Sequence, residues 1–275
     1  MQTHTTPPRF GIVIIGDEVL SGRRQDKHIP AVVERLHARG LRLNSVRMIG
    51  DDMELIVQSL RQARADCDVV FCFGGIGATP DDLTREAAAK AFNRSLTRHP
   101  EALARIQAQF GDEAYPYRVL MADLPENCAL IPNPMNNVPG FSLHDCYFMP
   151  GFPQMAHVML DWVLNTHFAE CGDADYAEAS LWVWDASENQ LLELMRAMEQ
   201  SYPALKLFSL PILPGEQQPR RRIELGLKGT RSELEPAMQA LQEQINALGF
   251  PTSPSRELAP PRVPPTAHDS STNVD

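Results

Sequence analysis

GGIGATPDDLTREAAAKAF, residues 74–92, decides how this chain folds. Gly74, Gly75 and Gly77 follow directly on the apolar run 68–73. A run polar only at its first residue reads as a strand buried on both faces. Glycines let the backbone turn sharply and come close to a ligand. Thr79 then suits a helix N-cap, Pro80 the first helical position and Asp82 the third, where it completes a capping box for a helix over 81–92. A glycine loop leading into a helix N-terminus attracts an oxyanion. Asp81 and Asp82 repel a phosphate there unless a divalent cation lies between. Mg2+ is typically held by one or two carboxylates plus substrate phosphates. A purely structural role, two acids capping a helix, fits the same residues.

Working outward, 9–16 is an apolar, β-branched run and reads as a buried strand. Helical spacing of Ile29, Val32, Val33 and Leu36 predicts a helix over 28–39, closed by Gly40. Alternation over 41–50 predicts a strand, and 52–65 a helix. Strands alternating with helices imply a doubly wound, mostly parallel α/β sheet over 9–168. Ligands bind such sheets beyond the carboxyl ends of the strands. Loops 16–26 and 74–82 lie there. Glu18 and Asp26 follow the first strand; Asp51 and Asp52 follow the second, where helix capping is also open to them. Helices are expected over 101–110 and 153–166.

The small, acidic composition of 169–180 marks a linker. After it, 181–250 reads as a small α+β domain: a strand over 181–185, a helix over 187–201 capped by Ser187, strands over 205–213 and 222–228, and a helix over 232–248. Residues 1–8 are expected to be flexible. From Pro251 the chain has six prolines in 25 residues and little to bury, so 251–275 is expected to be a disordered tail whose removal leaves stability unchanged.

The 275 residues carry a net charge of -10, which argues against nucleic acid and anionic membrane as partners. Five cysteines without a C-x-x-C pair, a polar N-terminus and no membrane-length apolar run indicate a cytoplasmic chain with reduced thiols. Cys72 reads as core rather than nucleophile. Trp182 and Trp184 read as core, and no histidine pair has metal-ligand spacing. Arg220, Arg221 and Arg222 read as the charged blunting of an edge strand. GLKG at 226–229 ends a strand instead of joining two helices, which argues against RNA contact through such a loop. The glycine loop is neither a Walker loop nor a dinucleotide fingerprint, because both spacings are absent.

GGIGATPDDLTREA resembles the G-G-[LT]-G-x-T-x-D-D-x-T-x-E-A signature of the molybdopterin-binding domain shared by the MoaB/Mog and CinA (competence/damage-inducible protein A) families. IGDEVLSGRRQDKH, IGDDMELI, NPMNNVPGF and MPGFPQM are similar to further CinA segments, in the same order along 9–160. The second module resembles the KH-like domain that follows in CinA proteins; the C-terminal deamidase domain of many of them is not expected here. The resemblance implies a pterin or nucleotide phosphate as ligand, with homo-oligomers among relatives. It implies Asp51 and Asp82 as functional aspartates and metal ligands, Gly74, Gly75, Gly77 and Thr79 as the phosphate loop, and Glu18, Asp26, Asn133 and Gly140 beside the ligand. The chemistry implied is adenylyl transfer to molybdopterin, or metal-dependent pyrophosphate hydrolysis of ADP-ribose-like nucleotides. Departures are His28 for Asn, Ala78 for Pro, Asn136-Asn137-Val138 for Gly-Thr-Ala, and a missing Glu near Met155.

Overall fold

The computed structural model describes residues 7–172, 176–215 and 219–254. The chain divides into two compact units between residues 173 and 174. The first begins with β1 (Phe10–Ile15), α1 (Asp17–Leu20), α2 (His28–His37), β2 (Leu43–Ile49), α3 (Met53–Asp66), β3 (Val69–Phe73) and α4 (Thr84–Ala91). It continues with β4 (Leu96–Arg98), α5 (Pro100–Phe110), β5 (Asp123–Pro125), β6 (Ala129–Ile131), β7 (Gly140–Leu143), β8 (Cys146–Met149) and α6 (Pro153–His167).

Six of these strands form one sheet in the order β2-β1-β3-β8-β7-β6. β2, β1, β3 and β8 run parallel, and β7 is antiparallel to both its neighbours. β1 and β3 are buried along their whole length, as their apolar runs require, whereas β2 at the edge alternates. Val13 and Ile15 of β1 pack into one core with Ile56, Leu60, Ala87 and Ile106. Phe10, Ile12 and Ile14 pack into a second core with Val32, Leu36, Leu160 and Leu164. Helices α3, α4 and α5 therefore cover one face of the sheet and α2 and α6 the other, the doubly wound arrangement expected. From β1 the chain winds first to β2 on one side and then to β3 on the other. A crevice opens at such a reversal, beyond the carboxyl ends.

The second unit contains β9 (Tyr176–Trp184), α7 (Glu188–Ser201), β10 (Lys206–Ile212), β11 (Arg222–Thr230), α8 (Arg231–Ala247) and β12 (Thr252–Ser253). Its sheet is antiparallel, in the order β10-β11-β9-β12. Leu181, Val183, Ile223 and Leu225 meet Leu191, Leu194, Leu234 and Leu241, so both helices lie on one face. Ser187 and Gln190 form the capping box that starts α7.

Several boundaries differ from those expected. Composition predicts a linker over 169–180, but β9 begins at Tyr176; its small and acidic residues pair with β11, with Glu178 bonded to Lys228 at 2.7 Å. The tail was expected to be disordered from Pro251, yet Thr252 and Ser253 pair with Val183 and Trp182. The buried Trp184 indole N–H needs an acceptor, and the Ser253 hydroxyl supplies it at 2.8 Å. Residues 255–275 and 1–6, which hold most of the expected tail and N-terminal segment, lie outside the described residues. β11 is a central strand, so the arginine cluster does not blunt an edge. Arg222 instead lies over the rings of Trp182 and Trp184, and Arg220 over Trp184 while paired to Asp185. The GLKG tetrapeptide lies inside β11.

Cys67, Cys72, Cys128 and Cys146 are free and buried. Burial pushes the Cys146 thiol up to about 12 and the Cys72 thiol well above its ordinary value, which fits core packing. Among the described residues no helix is long and apolar enough to cross a membrane.

Candidate functional site

A cavity of about 430 Å3 opens beyond the carboxyl ends of β1, β2, β3 and β8. Of the candidate site residues, Glu18, Asp51, Gly74, Gly75, Gly77, Thr79, Asp82 and Asn133 line it.

The glycine loop is shaped by three contacts from within. Gly74 has φ +103°, and a Cβ there would lie 2.1 Å from the Ile15 carbonyl oxygen, so only glycine fits between the loop and β1. The buried Thr84 hydroxyl donates to the Gly74 carbonyl at 2.9 Å, and the Thr84 N–H to the Gly75 carbonyl at 2.9 Å. Arg85, also buried, donates to the carbonyls of Gly77 at 2.9 Å, Leu120 at 2.6 Å and Asp123 at 3.0 Å.

Asp82 closes the loop. Its carboxylate accepts from the Gly77 N–H at 2.9 Å, the Thr79 N–H at 2.8 Å and the Thr79 hydroxyl at 2.5 Å. This corrects the capping expectation: α4 begins at Thr84, Leu83 is its N-cap, and Thr79 donates its hydroxyl to Asp82. The helix starts late because the acceptors that would cap it serve the loop. The remaining loop amides, those of Gly75, Ile76 and Ala78, take no hydrogen bond among the described residues.

The two aspartates after β2 separate cleanly. Asp52 caps α3, accepting from the Leu55 N–H at 2.8 Å. Asp51 faces the cavity and accepts from the Asp17 N–H at 2.9 Å, while the Asp51 N–H donates to the Asp17 carboxylate at 3.3 Å. Burial pushes the Asp51 carboxyl above its ordinary value, and the charges of Asp17, Glu18 and Asp81 push it further; the Asp17 N–H acts the other way. Among the described residues no group of three or more His, Cys, Asp and Glu side chains is placed to hold a metal ion.

Two expected site residues are elsewhere. Asp26 accepts from the N–H groups of His28 and Ile29, each at 3.0 Å, and so starts α2. Gly140 opens β7, where a Cβ would lie 2.3 Å from the Phe148 carbonyl oxygen and 2.7 Å from Met159 Cε; its smallness serves packing. Asn133 is buried and pins its own loop, accepting from the Met135 N–H at 3.1 Å and donating to the Asn136 side chain at 2.7 Å.

Sequence reasoning missed the apolar part of the lining and Arg24. Arg24 and Phe152 follow β1 and β8, so strand-end position was a usable signal for both. Phe110 and Met121 reach the cavity from α5 and the 3-10 turn Arg118–Ala122, for which no motif existed. His28, where the resemblance has Asn, is buried, stacks on Phe73 at 4.4 Å between ring centroids and lies 3.3 Å from the Gly151 carbonyl through Nε2. The His157 ring stands edge-on to it at 5.4 Å.

A doubly wound α/β unit with its cavity at the winding reversal defines the class of the molecule. The family described as "Probable molybdopterin binding domain" matches residues 11–169, and the chain belongs to that family. The resemblance to CinA is borne out. A CinA-like protein of Citrifermentans bemidjiense is 31% identical over 88% of this chain and 59% of its own length. One from Syntrophotalea carbinolica is 35% identical over 67% of this chain and 47% of its own. The chain thus spans about half the length of these curated relatives. The crystal structure of the protein CinA of unknown function from Thermoplasma acidophilum matches with TM-score 0.54 and 28% identity, over 57% of this chain and 96% of that one.

Proposed function

We propose that the cavity binds the phosphate end of a pterin or nucleotide on the glycine loop, with a divalent cation shared between that phosphate and Asp51. One observation carries this reading: the amides of Gly75, Ile76 and Ala78 are unengaged by described residues in a cavity-lining loop whose amides at Gly74, Gly77, Thr79 and Asp82 are bonded. Such a row of N–H groups binds an oxyanion. The family description, which names molybdopterin, supports a phosphate-bearing heterocycle as ligand.

The cation is Mg2+ by the oxygen chemistry of the donors. Asp51 fits as its holder, because the acids around it already raise its proton affinity and a cation relieves the same repulsion. No described group of three such side chains holds a metal, so the ligand phosphate must complete the coordination. Asp82 fits less well as a metal ligand, since both its oxygens serve the loop; its part is to position the phosphate-binding amides. When bound, the cation would neutralise phosphate charge and orient water. The reaction that suits these residues is hydrolysis of a pyrophosphate bond. A water oxygen attacks one phosphorus, the bridging P–O bond breaks with its electron pair leaving on the departing phosphate, and that phosphate takes up the water proton.

The test is a thermal-shift titration with ADP-ribose, in Mg2+ and in EDTA, followed by assay for AMP. The expected result is a rise in melting temperature with Mg2+ only, and release of AMP. An equal rise in EDTA contradicts the cation, and binding without AMP leaves a carrier in place of a hydrolase.

A further inference from the structure

One wall of the cavity has no part in holding phosphate. Phe110, Met121, Val138, Phe152 and Met155 line it with apolar surface. The wall is held in place: the Asn136 amide donates to Met155 Sδ at 3.4 Å, and the Val138 N–H donates to the Asn136 side-chain oxygen at 3.1 Å. Phe152 is 52% exposed, although it stands at the head of α6 with its backbone fixed. Its carbonyl accepts from the N–H groups of Met155 at 3.1 Å and Ala156 at 2.9 Å, and Pro153 follows it. The backbone at Phe152 is thus fixed, and the residue lines the cavity while half exposed.

Arg24 lies over its ring. Among the described lining residues it is the only Lys, Arg or His, and its guanidinium carbon lies 5.9 Å from the Phe152 ring centroid. This is a cation–π contact on an open part of the wall. Arg24 is exposed, so its side chain can lift from the Phe152 ring and let one flat aromatic ring in between.

We infer that Arg24 and Phe152 form a clamp for the planar heteroaromatic ring of the ligand, and so determine specificity. This rests on the phosphate reading above: the phosphate lies on the glycine loop and the ring between the two side chains. The substrate class narrows to phosphorylated aromatic heterocycles, as against sugar phosphates or inorganic pyrophosphate.

The experiment compares equilibrium binding of ADP and inorganic pyrophosphate, both with Mg2+, to the full chain and to Phe152→Ala, Phe152→Tyr and Arg24→Ala, with melting temperatures as the folding control. The ratio of ADP to pyrophosphate affinity is expected to fall about tenfold in Phe152→Ala, in line with the loss of one stacked ring. It is expected to recover in Phe152→Tyr, which restores the ring, and to fall by a smaller factor in Arg24→Ala. An unchanged ratio in a folded Phe152→Ala that still binds pyrophosphate overturns the clamp and leaves the phosphate reading intact. Failure of the wild-type chain to bind pyrophosphate overturns the phosphate reading, and the clamp falls with it.

Discussion

The loop after β3 and the loop after β1 reach the same cavity, yet only in the first do buried side chains of the following helix hold the loop backbone. Residues 74–82 are tied by Asp82, Thr84 and Arg85, each buried or half-buried and each aimed at loop backbone. Residues 16–27 present Glu18 and Arg24 to the cavity, with Asp17 bonded to Asp51 at one end and His28 against Gly151 at the other. Backbone amides can be fixed in advance by surrounding acceptors. Charged side chains that meet a ligand are left partly free, and here the acids Asp17, Glu18 and Asp81 repel Asp51 until it arrives. The comparison makes the glycine loop the rigid half of the site and the β1 loop the responsive half.

Breaking the rigid half should cost most. Gly74→Ala places a Cβ against the Ile15 carbonyl in a left-handed backbone conformation, and a backbone atom cannot swing aside. Chemical denaturation is expected to show a loss of several kcal/mol, about 3 or more. A loss below about 1 kcal/mol would mean the loop yields. Asp82→Asn comes next. A carboxylate accepts at both oxygens, whereas an amide turns its nitrogen toward the Thr79 or Gly77 N–H groups. The expected cost is about 1–2 kcal/mol, together with weaker binding of ADP-ribose. A mutant that binds weakly at full stability would instead point to Asp82 acting directly on ligand or metal.

Much of this architecture was legible in the amino-acid sequence. The apolar runs at 9–16 and 68–73 could only be buried strands, and the glycines marked the loop. Roles that depend on which of two acceptors wins were not legible. Asp51 and Asp52 carry the same side chain in adjacent positions, and both fit a capping pattern, yet Asp52 accepts from the helix and Asp51 from Asp17 beside the cavity. Thr79 and Asp82 matched a capping box by spacing, but the loop amides competed for the carboxylate and delayed α4. β12 was hidden because its two residues carry no pattern of their own and pair with β9, with Ser253 also held by the distant Trp184 indole.

The responsive half gives smaller effects. His28 anchors the far end of the β1 loop. Its pKa is lowered first by burial and also by His157, while Asp26 and the Gly151 carbonyl act in the opposite direction. Burial likewise lowers His157, with Arg35 acting the same way and Asp161 and Asp26 against it. The unfolded chain therefore takes up protons below about pH 6.5 that the folded chain resists. Stability should be full above that pH and should fall as the pH drops through the folded value, by at most about 1.4 kcal/mol per pH unit for one proton. Melting curves between pH 7.5 and 5 should show this fall, and His28→Asn should flatten it. An equal slope in the variant would assign the acid sensitivity elsewhere.

Asp51→Asn should have the smallest effect and the opposite sign. The raised Asp51 pKa means its ionised form opposes folding as the pH rises through the folded value, and the amide keeps an acceptor for the Asp17 N–H. With solvent screening the gain at neutral pH is at most about 0.5 kcal/mol. Differential scanning calorimetry without ligand should show a slight rise in melting temperature; a fall would mean the Asp17–Asp51 contact stabilises more than the repulsion costs.

The central claim is that a ligand phosphate lies on the amides of Gly75, Ile76 and Ala78. Proton–nitrogen correlation spectra of the labelled protein, titrated with ADP in Mg2+, test it most directly. The account predicts that these three resonances shift together along one saturable curve, while the amides of Gly77 and Thr79, already bonded to Asp82, move little. Saturable shifts elsewhere that leave Gly75, Ile76 and Ala78 in place would contradict it.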